Sequence, residues 1–278
     1  PGERVRARLV EEKRGHARAE LVEVLEASSE RIEPRCQHFG ECGGCHYQHL
    51  PYAAQLAAKE AILKEQLVRL GGLENPPVQP IVPSPQPWRY RNHVQFHQTP
   101  EGKLGYMAQR SNAVIPIEEC YLPEEALDGL WRQLEFELLP GLERISLRAG
   151  TDGELLLALE SSDPQAPEVE VEQALSLVYI GPEQAQVLAG DDYVLIDVAG
   201  RTFQVSAGSF FQVNTAMAEA MVGHLLANLA LTPESAVLDV YCGAGLFSAF
   251  LAERAGRVIG IESDPWACLD FETNLDEF

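Results

Sequence analysis

The chain lacks any apolar run near the ~18 residues a membrane span requires, and no signal-peptide pattern is seen at its start. Together these absences point to a cytoplasmic protein with no membrane partner. No internal repeat is visible, which argues against solenoid and propeller architectures. Positive charge is also short. The net charge is −21, which speaks against nonspecific binding to nucleic acid. The shortage is uneven: residues 1–120 carry 15 Lys+Arg and 15 Asp+Glu, whereas residues 121–278 carry 6 and 27. A polyanion would therefore prefer the front of the chain. The acidic rear is also what solubility alone would favour.

What is present suits about two domains at ~100–200 residues each, with 46% hydrophobic residues among 278 to build their cores. Residues 1–33 alternate apolar and polar around Gly15-His16 and read as a β-hairpin. Arg4, Arg6 and Arg8 share one strand face, suited to phosphates or simply to solvent. Tyr52 to Leu70 has helical spacing and stops at Gly71-Gly72. A Pro-rich linker over 76–87 leads to an alternating strand over 88–96, a turn over Gly102–Gly105 and a short strand over Val114–Ile117. Further on, a helix is expected over about Pro123–Glu137, with strands over Arg144–Arg148, Leu155–Leu159, Leu175–Ile180 and Tyr193–Val198. Ser161 to Glu172 reads as an acidic loop. Thr215 to Leu229 reads as a helix with Met217, Met221, Leu225 and Leu229 toward the core.

Six cysteines are present, and three of them crowd into Cys36-x5-Cys42-Gly-Gly-Cys45, a segment with no helical or strand period. Thiols this close in a cytosolic chain suggest a metal. Cys120, 75 residues beyond Cys45, is the candidate fourth ligand. Four thiolates suit zinc or an iron–sulfur cluster equally well. Cys242 and Cys268 stand alone and read as small buried residues.

Near the end, Val237 to Val240 reads as a strand, Gly243-Ala244-Gly245 as a tight turn, Ser248 to Ala255 as a helix and Val258 to Ile261 as a second strand running into Glu262. Glycines let the backbone approach a ligand closely. An acid about 20 residues on can hydrogen-bond ribose hydroxyls, and Glu262 follows Gly243 by 19. Such a unit fits a dinucleotide or S-adenosylmethionine. A strict G-x-G-x-x-G would put Gly or Ala where Ser248 stands. Because a doubly wound sheet needs more than two strands, and Phe278 falls inside an expected helix, the sequence is expected to be a piece of a longer protein or a processed form.

The cysteine motif with Cys120, then Tyr90-Arg91-Asn92, Gly102-Lys103-Leu104-Gly105-Tyr106, Ser209-Phe210-Phe211-Gln212-Val213-Asn214 and Asp239-Val240-Tyr241-Cys242-Gly243-Ala244-Gly245, occur together and in order. In this the chain resembles the RNA uracil-C5 methyltransferases, in particular the 23S ribosomal RNA branch that carries a [4Fe-4S] cluster. The resemblance implies a multidomain α/β and α+β protein. It would comprise a partial TRAM domain, an oligonucleotide-binding-like β-barrel, over 1–33, a central α+β iron–sulfur domain over 34–200, and an incomplete Rossmann-like methyltransferase domain over 201–278. It implies a cluster held by Cys36, Cys42, Cys45 and Cys120, and S-adenosyl-L-methionine held by Gln212, Tyr241, Gly243, Gly245 and Glu262. Relatives often have Asn where Leu246 stands, so no side-chain contact is expected there. It also implies RNA as the partner, 23S rRNA or alternatively tRNA, and a monomer.

In this chemistry a cysteine thiolate adds at C6 of an extruded uracil. C5 then attacks the methyl of the sulfonium, a base removes the C5 proton, and the thiolate leaves. The family's nucleophile follows an Asp-Pro-Pro-Arg segment that is absent from these 278 residues, so no catalytic residue is assigned. Two other readings compete: an iron–sulfur RNA-binding module without chemistry, and an NAD-dependent oxidoreductase, against which Ser248 and the Phe-Gln-x-Asn loop weigh.

Overall fold

The computed structural model describes residues 2–170 and 173–278. The acidic loop expected over Ser161–Glu172 therefore has its last two residues outside the described part, as is residue 1. The chain divides into two compact units, residues 1–40 with 45–83, and residues 41–44 with 84–278.

In the first unit, β1 (Arg4–Lys13) and β2 (His16–Glu26) form the antiparallel hairpin that alternation predicts. Its register sets Arg4 opposite Glu26, Arg6 opposite Glu23 and Arg8 opposite Glu20. Each arginine pairs with its glutamate, at 2.8, 2.6 and 2.6 Å respectively. The basic face expected from period two is thus a face of opposed charges, because cross-strand neighbours sit within side-chain reach. No residue of either strand is buried. Where the later strands of a partial barrel domain are expected, the described residues hold a two-stranded hairpin. The helix α1 (Tyr52–Arg69) matches its expected span and buries none of its residues.

The second unit is built on a seven-stranded sheet. Its strands are β3 (His93–Gln98), β4 (Leu104–Met107), β5 (Val114–Pro116), β6 (Leu142–Ala149), β7 (Leu155–Ser161), β8 (Ser176–Ile180) and β9 (Ala185–Ala189), in the order β5-β4-β3-β6-β7-β8-β9. All neighbours are antiparallel except β7 and β8. Leu155, Leu157 and Leu159 enter one core with Phe96, Ile145, Leu147 and the helix α2 (Glu125–Trp131). Leu156 and Ala158 enter the other. Burial on both faces explains why β7 reads as an unbroken apolar run.

The second core continues through the hairpin of β10 (Tyr193–Val198) and β11 (Arg201–Ser206), the helix α3 (Thr215–Asn228), and the glycine turn and first helix of a parallel strand–helix–strand–helix unit whose strands bury no residue. That unit comprises β12 (Ala236–Val240), α4 (Leu246–Ala252), β13 (Arg257–Ile261) and α5 (Pro265–Asn274). Residue 200, the expected domain boundary, lies in the β10–β11 turn.

Several local expectations shift. The strand begins at His93 because Arg89 has a φ of 55°, while the Arg89 and Arg91 amides donate to the Tyr121 and Leu122 carbonyls. The second helix ends at Trp131. Beyond it the Gln98 side chain engages the Glu137 carbonyl and the Leu139 amide, which supports an extended path. On α3 the buried residues are Ala218 and Val222, whereas Met221 and Leu229 are 37% and 39% exposed. Ala218 and Val222 join the core that residues of β10 and α4 also enter. Strands β4, β9 and β11 were not foreseen, β4 starting at Leu104 within the turn expected over Gly102–Gly105. No described helix is long and apolar enough to cross a membrane.

Candidate nucleoside-cofactor site

The glycine turn follows β12 directly. Tyr241 and Cys242 both donate their amides to the Ile261 carbonyl, at 2.8 and 3.2 Å, which binds the turn to the end of β13. Tyr241, at a φ of 65°, is 87% exposed. Gly243 and Gly245 have φ of 56° and 87°, the left-handed region that glycine adopts without steric cost. Gly245 is also crowded: a Cβ there would lie 2.4 Å from Leu275 Cδ1.

Glu262 closes the turn from the opposite strand. Its Oε2 accepts from the Gly243 amide at 2.9 Å, and its Oε1 accepts from the Ser263 and Asp264 amides at 2.7 and 3.0 Å. These donors, Asp264 first, then Ser263 and Gly243, hold the carboxyl below its ordinary pKa, so it is ionised at neutral pH. A carboxylate has about four acceptor positions, so Oε2 keeps room for a hydroxyl donor.

Ser248 is fully buried, and its Oγ donates to Asp239 Oδ2 at 2.7 Å, tying the helix after the turn to the end of the strand before it. A small residue is needed there, and serine serves because its hydroxyl has this partner. The Cys242 thiol is buried and pushed up in pKa by desolvation first, then by Asp239 and Glu262, as a structural cysteine would be. Cys268 is half-buried, its thiol toward the Glu262 carbonyl at 3.8 Å.

The Phe-Gln-x-Asn loop borders this turn, since a Cβ on Gly243 would have the Phe210 carbonyl 4.0 Å away. Asn214 caps α3 by accepting from the Met217 amide at 3.1 Å. Asn92, 3% exposed, donates from Nδ2 to the Gln212 carbonyl at 3.2 Å and to Thr215 Oγ1 at 3.1 Å, while its own amide donates to the Val213 carbonyl at 3.0 Å. Two sequence motifs some 120 residues apart thus meet at Gln212. Phe210 is 71% exposed. Behind the loop lies Arg148, 1% exposed, donating to the Ser209 carbonyl at 2.6 Å. Burial lowers its pKa to about 10, opposed by the charge of Asp270. Burial first, then Arg148 and Arg91, keeps His93 neutral. Arg89, one of the basic residues of the front half, is occupied by Asp128 at 3.0 Å.

The expected cluster ligands fall in both units. Cys36 and Cys45 belong to the first unit, Cys42 and Cys120 to the second. In the first, the Cys36 amide donates to Gln48 Oε1 at 3.1 Å. In the second, the Gly44 amide donates to Cys42 Sγ at 3.3 Å. Gly43 passes so close to Met107 that a Cβ would lie 2.9 Å from its carbonyl oxygen. Tyr106 is raised in pKa by burial first, then by Cys120 and also by Cys42, and all three pack against the same core. Among the described residues, no group of three or more His, Cys, Asp or Glu side chains is gathered as a metal site.

The family model for tRNA (Uracil-5-)-methyltransferase matches residues 165–267, the part that contains the loop, the turn and Glu262. An uncharacterized RNA methyltransferase of Chlorobaculum tepidum is 32% identical, across 99% of this chain and 68% of its own length. The chain belongs to the RNA uracil-C5 methyltransferase family.

Another member of the family, the 23S rRNA (uracil(1939)-C(5))-methyltransferase RlmD of Pectobacterium carotovorum, is 34% identical over 94% of this chain and 62% of its own length. The chain thus spans about two thirds of the length of such relatives. The fold matches the crystal structure of the Pyrococcus abyssi tRNA (uracil-54, C5)-methyltransferase in complex with S-adenosyl-L-homocysteine. The TM-score is 0.72 at 21% identity, over the whole of this chain and 70% of that one.

Of the expected cofactor residues, the structure joins Gly243, Gly245, Tyr241 and Glu262 in one turn, and brings the loop of Gln212 beside it. Sequence reading missed Asn92 as the anchor of that loop, and missed the Asp239–Ser248 bond. The spacing of an acid at a strand end from a small polar residue in the next helix is the only signal that pointed to the second.

Proposed function

We propose that the chain binds S-adenosyl-L-methionine at the Gly243–Gly245 turn, with Glu262 accepting from the ribose hydroxyls and Tyr241 and Gln212 beside the ligand. The observation that carries this is the Glu262–Gly243 hydrogen bond. It pins the backbone turn and the ribose-binding acid together and leaves Oε2 an acceptor position. The S-adenosyl-L-homocysteine in the Pyrococcus abyssi relative supports the choice of ligand.

The reaction proposed for the protein is methyl transfer from this donor to uridine C5 in RNA. The name of the Pectobacterium carotovorum relative favours 23S rRNA as the substrate. The description of the family model favours tRNA as the second reading. No nucleophile or general base is proposed among residues 1–278.

We also retain a [4Fe-4S] cluster ligated by Cys36, Cys42, Cys45 and Cys120. The all-thiol donor set, the Gly44 amide directed at Cys42 and the packing of Cys42 and Cys120 against one core support this fit. The proposed division remains a partial TRAM domain over 1–33, a central domain over 34–200 and a methyltransferase portion over 201–278, in a cytoplasmic monomer that binds RNA.

Isothermal titration with S-adenosylmethionine and, separately, with NAD tests the cofactor. We expect one S-adenosylmethionine per chain, bound at least tenfold more weakly in Glu262→Ala, a loss of roughly 1.4 kcal/mol. Binding of NAD in its place would overturn the assignment. Competition between a 23S rRNA fragment and tRNA for the same protein separates the two substrate readings.

A further inference from the structure

Helix α5 reaches back to both sides of the cofactor site through two polar side chains that the reaction itself does not use. Asn274 donates from Nδ2 to the Ala244 carbonyl at 2.9 Å, the peptide between the two glycines of the turn. The same Nδ2 donates to the Gln204 carbonyl at 2.9 Å, and Oδ1 accepts from the Gln204 amide at 2.7 Å. One side chain therefore joins the glycine turn to β11, the strand that runs into the Phe-Gln-x-Asn loop.

One turn earlier, Asp270 is fully buried. It accepts from the Ser206 amide at 2.9 Å, from Ser206 Oγ at 2.5 Å and from Ser209 Oγ. Ser209 is held from its other side by Arg148, whose Nη2 donates to its carbonyl at 2.6 Å. Arg148 Nε and Nη1 have no hydrogen-bond partner among the described residues, and the charge of Asp270 works against the lowering of its pKa by burial. The seam is close: Gly208 lies so near Trp266 of α5 that a Cβ would be 2.6 Å from the indole.

We propose that Asn274 and Asp270 are positioning residues for the methyl donor, holding the glycine turn and the Gln212 loop at a fixed separation so that the site is formed before ligand arrives. This rests on the cofactor reading above. A ligand binding only the assembled form loses affinity in proportion to the fraction assembled. Releasing either clamp therefore weakens binding without removing a ligand contact.

The test compares Asn274→Ala, Asn274→Asp and Asp270→Asn with Gln98→Ala. Gln98 is a matched control: its amide likewise bridges backbone groups, at Glu137 and Leu139, away from the site. Titration with S-adenosylmethionine, at a temperature where circular dichroism shows each variant folded, should give about tenfold weaker binding for the Asn274 variants and for Asp270→Asn. Gln98→Ala should lose thermal stability yet bind within about twofold of the parent. Fluorine NMR of 5-fluorotryptophan protein adds a signature. The Trp266 resonance, assigned with Trp266→Phe, should broaden in the ligand-free Asn274 and Asp270 variants and sharpen on saturation.

Folded Asn274 variants that bind as tightly as the parent would overturn the proposal and leave the cofactor reading intact. A parent protein that binds no S-adenosylmethionine would overturn both. Should Asp270→Asn not fold, the two Asn274 variants decide the matter alone.

Discussion

Alanine at Gly245 and alanine at Gly243 should have very different consequences, although both glycines are left-handed. At Gly243 the φ is 56°, and the nearest atom to a new Cβ is the Phe210 carbonyl oxygen at 4.0 Å. The cost is then mainly that of placing an L-residue in the left-handed region, roughly 1–2 kcal/mol. At Gly245 the φ is 87°, outside the range of about +50 to +70° where alanine is tolerated. The methyl would also sit 2.4 Å from Leu275 Cδ1 and 3.1 Å from the Phe271 ring. Overpacking of this kind adds typically 1–3 kcal/mol, so Gly245→Ala should cost about 2–5 kcal/mol in all.

Urea unfolding followed by tryptophan fluorescence would measure the difference. A double-mutant cycle with Leu275→Ala separates the two contributions. Truncating Leu275 opens the space the methyl needs, so the pair should be less destabilised than the sum of the single variants by about 1 kcal/mol or more. Additive effects, or equal losses at 243 and 245, would refute the account of a crowded second glycine. Gly243→Ala should keep most of the protein's stability and still bind S-adenosylmethionine poorly, since its methyl points into the gap between turn and loop.

Ser248→Ala should destabilise the second unit by about 1.5–3 kcal/mol, the worth of a hydrogen bond to a charged group, and leave Asp239 without that donor; a loss under ~0.5 kcal/mol in chemical denaturation would show the bond to be unimportant. Glu262 has a depressed pKa in the folded protein, so the stability it lends is complete above the unfolded value of about 4.3 and is lost as pH falls through the lower folded value. The stability difference between the parent and Glu262→Gln should accordingly stay constant from pH 8 to about 5 and shrink only in more acid solution; a difference that vanishes near pH 6 would contradict the triple-amide environment. Protein purified without oxygen should be brown with about four irons per chain, and Cys42→Ser or Cys120→Ser should bleach it, whereas colourless protein with stoichiometric zinc would replace the cluster with a zinc site.

Much of the second unit's framework was legible because its signals are local. The parallel pair β12 and β13, the glycine turn and the acid ending β13 all follow from apolar runs and residue spacing, and the structure sets them in register from Ala236–Arg257 to Val240–Ile261. The β1–β2 hairpin and α1 were equally plain, for the same reason. What failed was decided by partners distant in the chain. Met221 and Leu229 lie on a stripe as apolar as any core face, yet α3 turns Ala218 and Val222 inward, into the core that residues of β10 and α4 also enter. Arg4, Arg6 and Arg8 look like an unopposed basic row until the hairpin register sets a glutamate beside each.

The sequence by itself determined the local pieces: which residues make the turn, which acid ends the second strand, which thiols lie close along the chain, and the order of motifs that marks the family. These are matters of backbone freedom and short-range spacing, and they hold wherever the segment is placed. Only the tertiary structure decided that Asn92 grips the carbonyl of Gln212 and that α5 clamps loop and turn through Asp270 and Asn274. Those bonds depend on how the seven-stranded sheet, the β10–β11 hairpin and the helices α3 and α4 share one core, which no local periodicity encodes.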